Sequence, residues 1–193
     1  LFAIGGDGTI LSTIRRLGEM MKPVFGIHIG GLGFLSECTD SNLNESVINI
    51  IKGNYIISNR MLLEVQISSK KIDKQILWAL NDIVVDHGPS ARLFKVEVYV
   101  SGEYLNTFEG DGVIFSTPTG STAYSLSAGG PIIYPSMDSI TVTPICPHSL
   151  SARPIVLQSE EKIKLYFPDH YSGISLAIDG QIKLTIDNKT KIE

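Results

Sequence analysis

The hydrophobic pattern of the chain changes its period once, near residues 53 to 60. Before that point, the apolar run 1–4 predicts a buried strand. The residues after it repeat at the spacing of one helix face, namely Ile10, Leu11, Ile14, Leu17 and Met21. A second buried strand is predicted over 24–29, followed by a second helical stripe that Gly53 ends as a C′ glycine. Strand, helix, strand and helix in this order favour a parallel sheet.

After Gly53, apolar residues alternate with polar ones, which is the pattern of half-buried strands. Such runs cover 61–67, 95–100 and 163–167, and Ser101-Gly102 has the composition of a hairpin turn. The predicted fold class is therefore an α/β N-terminal portion with a truncated parallel sheet, followed by a β-rich antiparallel sandwich domain. We place the two domains at 1–55 and 56–193. We expect earlier strands to be missing, because one strand before the first glycine turn cannot make a doubly wound sheet.

Charge and composition exclude several classes of partner. The net charge of −4, without any run of Lys or Arg, argues against a nucleic-acid-binding surface. The longest apolar runs are too short to cross a bilayer, so no membrane partner is expected. Cys38 and Cys146 lack a C-x-x-C partner and fit unpaired thiols in a reducing, cytoplasmic compartment. The four histidines show no ligand spacing, so no protein-borne metal site is predicted.

The first chemical signal is the turn Gly5-Gly6-Asp7-Gly8-Thr9. It follows a predicted strand and opens a predicted helix, a layout that presents backbone N–H groups to an anion. Asp7 would repel a phosphate, so it either holds a cation or takes a proton from an attacking hydroxyl. A purely structural alternative is that Asp7 caps the helix. A second glycine-rich loop at 30–35 follows the next strand, where it either binds ligand or simply ends that strand.

Three later stretches interrupt the strand pattern. Asn81-Asp82 lies inside the apolar run 76–85 and is either an exposed bulge or an amide and a carboxylate aimed at a polar ligand. The stretch 110–131 passes from a strand into hydroxyls, small residues and Tyr124, which suits a nucleoside with phosphates. The proline-rich segment 144–154 either directs Arg153 at a phosphate or braces the neighbouring structure.

Taken together, these stretches closely resemble the NAD kinases. The matching motifs are Gly-Gly-Asp-Gly-Thr at 5–9, Gly-Leu-Gly-Phe-Leu at 31–35, Asn-Asp at 81–82, the hydroxyl-rich stretch at 117–130, Pro-His-Ser-Leu-Ser-Ala-Arg-Pro at 147–154 and Asp-Gly-Gln at 179–181. The first motif also resembles diacylglycerol and sphingosine kinases, whereas the hydroxyl-rich stretch is specific to this family.

The resemblance implies transfer of the γ-phosphate of ATP to the 2′-hydroxyl of the adenosine ribose of NAD, giving NADP. It also implies Mg²⁺ or another divalent metal with ATP, and a homodimer or homotetramer. Asp7 looks like the general base. The implied NAD- and nucleotide-binding residues are Asp7, Gly8, Asn81, Asp82, Arg92, Glu109, Asp111, Thr122, Ala123, Tyr124, Ser125, Leu126, Ser127 and Gln181.

The sequence departs from the family pattern at two of these positions. Asp82 replaces the usual Glu, which is one methylene longer. Glu109 stands where bacterial relatives that prefer NAD to NADH often have Arg, so the choice between oxidised and reduced substrate stays open. A lipid kinase that shares the first motif, or a non-catalytic NAD(P)-binding sensor, are the alternative functions. The chain has no G-x-x-x-x-G-K-[ST] loop, which argues against a P-loop kinase.

Overall fold

The structure, a computed structural model, describes residues 1–29, 33–70, 72–89, 93–171 and 173–193. The chain divides into two compact units, Leu1–Asn59 and Arg60–Glu193, which we call unit 1 and unit 2. None of the described helices combines the length and the apolar composition that a membrane span requires.

Unit 1 is a small parallel α/β structure. Strand β1 (Phe2–Ile4) leads into helix α1 (Asp7–Leu17), and β2 (Phe25–His28), β3 (Cys38–Thr39) and α2 (Leu43–Ile51) follow. The strands lie in the order β1-β2-β3, and both pairs are parallel. This confirms the parallel sheet predicted from the alternation of strands and helices.

Glycines end both helices of unit 1. Helix α1 ends at Leu17 because Gly18 has a φ of 47°, so the prediction that Met21 belongs to its buried face is wrong, and Met21 is exposed. Helix α2 ends at Ile51, and Gly53 follows it as the predicted C′ glycine, with a φ of 76°. The N–H groups of Gly53 and Asn54 donate to the carbonyls of Ile50 and Asn49, which is the Schellman arrangement.

Unit 2 is an antiparallel sandwich, as the alternating pattern predicted. Its strands are β4 (Leu63–Ser68), β5 (Gln75–Ala79), β6 (Asp82–Asp86), β7 (Phe94–Val100), β8 (Glu103–Gly110), β9 (Gly112–Ser116), β10 (Ser139–Ile145), β11 (Ile155–Gln158), β12 (Ile163–Tyr166), β13 (Ile174–Ile178), β14 (Ile182–Ile186) and β15 (Lys191–Ile192). The first sheet has the strand order β11-β10-β9-β6-β13-β14 and the second has the order β5-β4-β15-β12-β7-β8. A 3-10 turn (Gly120–Thr122) and the short helix α3 (Tyr124–Ser127) lie between β9 and β10.

The two faces of the first sheet have different roles. Ile83 and Val85 of β6 pack into the main core between the sheets, together with residues of the second sheet. Val84 belongs instead to a separate small cluster with Ile114 and Ala177. Because side chains alternate along a strand, Asp82 and Asp86 share the face of Val84. The sandwich therefore turns both of these carboxylates away from its core.

Candidate functional site

In unit 1 the Asp7 carboxylate joins the two glycine-rich loops. Asp7 is the first residue of α1, and Gly6 occupies the N-cap position without any side-chain capping bond. The N–H of Phe34 donates to Asp7 Oδ2 at 3.0 Å, and the N–H of Leu35 donates to Oδ1 at 3.1 Å. The Asp7 side chain therefore does not cap the helix, and the alternative of a purely structural cap is wrong.

Two glycines make room for this arrangement. Gly5 has a φ of +148°, and a Cβ there would overlap the Thr9 hydroxyl. A Cβ on Gly33 would overlap Oδ1 of Asp7, so a larger residue at 33 would displace the carboxylate. Asp7 is partly exposed and Gly8 beside it is exposed. Each carboxylate oxygen uses one acceptor position for an N–H group and keeps another for a proton or a cation.

In unit 2 the polar pair Asn81-Asp82 sits where the chain crosses between sheets. Strand β5 ends at Ala79 in the second sheet and β6 begins at Asp82 in the first sheet. The apolar run 76–85 is thus two strands rather than one interrupted strand. Asp82 is only 4% exposed, which rules out the exposed-bulge alternative for this residue.

Asp179 holds the 80–82 turn from one side. Its Oδ1 accepts the N–H groups of Asn81 at 2.7 Å and Asp82 at 3.2 Å, and its Oδ2 accepts the N–H of Leu80 at 3.1 Å. The N–H of Asp179 in turn donates to the carbonyl of Asp82 at 2.9 Å. This carboxylate therefore satisfies three backbone donors at the crossing between the two sheets.

The hydroxyl-rich stretch holds the same turn from the other side. The N–H of Thr117 donates to the Asn81 carbonyl at 2.9 Å, and the Thr117 hydroxyl donates to the Leu80 carbonyl. The N–H of Gly120 donates to the Thr117 hydroxyl at 3.0 Å. A Cβ on Gly120 would overlap the Asn81 carbonyl oxygen, so this position has no room for a side chain.

An open pocket of about 370 Å³ lies on the outer face of the first sheet. That size suits a nucleoside. Its lining residues come from β6, α3, β13 and β14 and the turns between them, namely Asn81, Asp82, Val84, Asp86, Ala123, Tyr124, Ser175, Ala177, Asp179, Gly180 and Lys183. Four of the residues singled out from sequence, Asn81, Asp82, Ala123 and Tyr124, thus meet at one cavity.

The pocket is unfavourable to a negative charge on Asp82. Burial, and then the nearby charge of Asp179, raise the pKa of Asp82 to about 6, although a hydrogen bond from the Tyr124 N–H acts in the opposite direction. The pKa of the Tyr124 phenol is also raised, first by burial and then by neighbouring charges, of which Asp86 is the strongest. The Tyr124 residue is 47% exposed, so its ring borders the opening.

The rest of the 122–127 run has mixed orientations. Thr122, Leu126 and Ser127 are exposed. Ser125 is buried, and its hydroxyl lies 2.9 Å from the Thr143 hydroxyl beneath α3. A Cβ on Gly130 would overlap the Ser125 hydroxyl, which fixes how closely the chain returns below this helix. The Ser125 side chain thus supports α3 from below, while its neighbours reach solvent.

Glu109 and Asp111 do not share a strand face. Asp111 lies at a bend between β8, which ends at Gly110, and β9, which starts at Gly112. This bend interrupts the strand alternation that would otherwise place the two side chains on one face. Glu109 Oε2 lies 3.5 Å from Lys95 Nζ, whereas Asp111 accepts a hydrogen bond from the Cys146 thiol, whose pKa is raised chiefly by that bond.

Three further residues complete the set. Gln181 is exposed directly after the Asp179-Gly180 turn. Arg92 lies outside the described residues. The Arg153 guanidinium donates to the carbonyls of Leu150 at 2.7 Å and Ala152 at 2.8 Å, so within the described structure it braces its own loop.

Sequence reasoning missed Asp179, Asp86 and Lys183 as pocket residues. Asp179-Gly180 was noticed as part of a motif, but the bonds of its carboxylate depend on the pairing of β13 with β6. Asp86 was detectable, because the two-residue period of a strand starting at Asp82 places it on the same face. Lys183 offers no local signal, since Lys is common on exposed strands.

The described residues contain no group of three or more His, Cys, Asp or Glu side chains arranged to hold a metal ion. Mg²⁺ commonly binds only one or two protein carboxylates together with nucleotide phosphates and water. The partly exposed Asp7 carboxylate, with acceptor positions left after its two N–H bonds, fits that kind of shared site.

In comparisons with known proteins, both units are similar to ATP-NAD kinases. A family model for the ATP-NAD kinase N-terminal domain matches residues 1–55, and one for the ATP-NAD kinase C-terminal domain matches residues 80–193. A NAD kinase of Clostridium botulinum (strain Loch Maree / Type A3) is 47% identical, over 98% of this chain and 68% of the relative. A NAD kinase of Caldanaerobacter subterraneus subsp. tengcongensis is 43% identical, over 100% of this chain and 68% of the relative.

Two solved structures are similar over the whole chain. Yeast NADH kinase complexed with NADH superimposes with a TM-score of 0.93 at 36% identity, and the chain covers 56% of it. A NAD kinase from Archaeoglobus fulgidus in complex with ATP gives a TM-score of 0.77 at 28% identity, and the chain covers 72% of it. The chain is thus similar to NAD kinases both in sequence and in fold.

Proposed function

The chain belongs to the NAD kinase family. From this premise we propose that it phosphorylates NAD, and we propose how its residues carry out the reaction. The 2′-hydroxyl of the adenosine ribose of NAD attacks the γ-phosphorus of ATP. The bond between that phosphorus and the β–γ bridging oxygen breaks, so NADP and ADP are the products. The proton of the attacking hydroxyl passes to the Asp7 carboxylate.

The observation that supports this role is the way in which Asp7 is held. Its two oxygens accept N–H groups of Phe34 and Leu35, so the carboxylate is fixed in orientation while it stays partly exposed. A positioned carboxylate contributes roughly 10²- to 10⁴-fold to a reaction that needs a proton removed. Most of the remaining catalysis of phosphoryl transfer is positioning and charge neutralisation.

The pocket of unit 2 supports binding of the nicotinamide nucleotide. We assign the Asn81 amide and the Asp82 carboxyl to its polar groups, and the Tyr124 ring to one of its aromatic rings. The family resemblance adds Gly8, Arg92, Glu109, Asp111, Thr122, Ala123, Ser125, Leu126, Ser127 and Gln181 as further binding residues. The similar structures that carry NADH or ATP support NAD and ATP as substrates.

We also propose Mg²⁺, or another divalent metal, as the cofactor that accompanies ATP, with Asp7 as a carboxylate able to contribute to its binding. When bound, such a metal neutralises charge on the transferred phosphate. A homodimer or homotetramer and a cytoplasmic location complete the proposal. The two unpaired thiols, Cys38 and Cys146, support a reducing compartment.

The deciding experiment measures NADP formation with ATP, Mg²⁺ and NAD, read by a NADP-specific dehydrogenase. We expect turnover in the wild type and a loss of at least about 100-fold in Asp7→Asn, with NAD affinity kept. Asp73→Asn is the matched control, because it makes the same chemical change at an exposed position of unit 2 away from the pocket lining.

Two results would contradict the proposal. NAD binding without any NADP formation would favour a sensor on the same scaffold. Near-normal turnover in a folded Asp7→Asn protein would remove Asp7 as the base. Thermal unfolding must accompany the assay, because Asn offers an NH₂ group to one of the two N–H donors and weakens the contact between the loops.

A further inference from the structure

Asp179 occupies a turn that few residue types tolerate. Asp179 and Gly180 have φ values of 49° and 63°, and the Gln181 N–H donates to the Ile178 carbonyl at 2.9 Å. Two successive residues in the left-handed region are typical of the tight hairpin turns for which Asp-Gly is favoured. The turn places the Asp179 carboxylate at the end of β13, where it is 7% exposed.

From this position Asp179 reaches a second turn that is remote in sequence. Its oxygens accept the N–H groups of Leu80, Asn81 and Asp82, and its own N–H donates to the Asp82 carbonyl. Asp179 therefore both accepts hydrogen bonds from the 80–82 turn and donates one to it. Asp-Gly alone is sufficient to close the 178–181 hairpin turn. The three bonds from the 80–82 turn to the Asp179 carboxylate are therefore not needed for that hairpin, and their effect is to hold the 80–82 turn.

The charge of Asp179 also acts on Asp82. After burial, Asp179 is the second cause that raises the pKa of Asp82 to about 6. The other titratable or charged side chains that line the pocket around Asp82 are Asp86 on the same strand, Tyr124 on α3 and Lys183 on β14. Asp179 in addition contacts the Asp82 backbone directly, because its Oδ1 accepts the Asp82 N–H.

We propose that Asp179 is a positioning residue for nucleotide binding: it fixes the 80–82 turn so that the Asn81 amide and the Asp82 carboxyl meet the nucleotide, and its charge acts on Asp82. This inference rests on the proposed binding role of Asn81 and Asp82. Asp179 itself need not touch the nucleotide. Its effect is transmitted through the backbone and through the electrostatic environment of its neighbour.

The test compares NAD binding by the wild type and Asp179→Asn, measured by titration calorimetry at pH values from 5 to 8. Asn tolerates the left-handed conformation and keeps one oxygen for the Asn81 and Asp82 N–H groups, while the Leu80 N–H loses its acceptor. We expect affinity at pH 7 to fall roughly tenfold. In the wild type the pH dependence of the Kd should have its midpoint near the Asp82 pKa of about 6.

The position of that midpoint separates the proposal from a merely structural role. In Asp179→Asn the midpoint should move to lower pH, because a negative charge next to Asp82 has been removed. Thr117→Val is the matched control, since it removes a hydroxyl that bonds the same turn without changing any charge. This control should weaken NAD binding and leave the midpoint where it is.

A second variant keeps the test decisive if Asp179→Asn does not fold. Asp82→Asn removes the titrating group and should abolish the pH dependence near 6. A midpoint that persists in Asp82→Asn, or that stays in place in a folded Asp179→Asn, overturns the proposal. Wild-type protein that shows no NAD binding at any pH overturns it too. Calorimetry measures NAD binding without requiring turnover. If NAD binds and the midpoints shift as expected but no NADP is formed, the kinase activity is refuted and this inference stands.

Discussion

Asp82→Asn should stabilise the protein at neutral pH, even though it alters a proposed binding residue. The ordinary pKa of 3.8 rises to about 6 in the folded protein, a difference of about two units. At 1.36 kcal/mol per unit, the buried ionised form costs about 3 kcal/mol of folding free energy. Asn cannot ionise, and its side-chain oxygen still accepts the hydrogen bond from the Tyr124 N–H.

The direction with pH follows from the raised pKa. Below pH 3.8, Asp82 is protonated in both the folded and the unfolded chain, so the folded state has no penalty there. As pH rises from 3.8 to about 6, Asp82 ionises in the unfolded chain while it is still protonated in the folded protein. The free energy of unfolding therefore falls over this range. Wild type and variant should therefore unfold at similar temperatures near pH 4, and the variant should unfold at higher temperatures at pH 8.

Calorimetric melting at pH 4 and pH 8 measures this difference. An increase of about 3 kcal/mol in the free energy of unfolding corresponds to a rise in Tm on the order of 10 °C for a unit of this size. Asp73→Asn is the control for removing one carboxylate from an exposed site. An equal Tm difference at both pH values, or a variant less stable at pH 8, would show that burial and the Asp179 charge do not act on Asp82 as described.

Three other predictions test neighbouring residues. Gly33→Ala should lower kcat on the order of tenfold or more at unchanged NAD affinity, because its Cβ displaces the Asp7 carboxylate; unchanged turnover would contradict the need for glycine there. Glu109→Gln should leave the ratio of kcat/KM for NAD over NADH within about twofold, because its carboxylate pairs with Lys95 at a half-exposed position; a larger change would make Glu109 a specificity residue. Tyr124→Ala should weaken NAD binding by roughly 0.5–1.5 kcal/mol beyond the lost area, and calorimetry that finds no loss would remove the ring from the pocket.

The sequence predicted those parts of the fold that local chemistry decides. The two-residue period identified β7 and β12, and Ser101-Gly102 formed the expected turn with φ values of 49° and 92°. Gly53 ended α2 because a glycine accepts the left-handed conformation there. The apolar spacing continues beyond Gly18 and so predicts a helix as far as Met21, whereas the backbone geometry at this glycine ends the helix at Leu17.

The crossing at Asn81 was not predictable from local pattern. The run 76–85 is apolar on both sides of Asn81-Asp82, yet its two halves belong to different sheets. What separates them is a set of backbone bonds to Asp179, and a local period contains no information about a partner so far along the chain. The site was predicted in part for the same reason: Asp82 stood out as a polar residue among apolar ones, while Lys183 joined the pocket only through the pairing of β14 with β13.

The bonds between Asp179 and the 80–82 turn span 97 to 99 positions of the chain. Closing a loop of this length costs conformational entropy, which the surrounding contacts of the sandwich must offset. The pocket therefore depends on the pairing of the β13–β14 hairpin with β6, which brings its lining together. It follows that a ligand of this pocket should stabilise unit 2 as a whole and slow its unfolding, rather than protect a single loop from proteolysis.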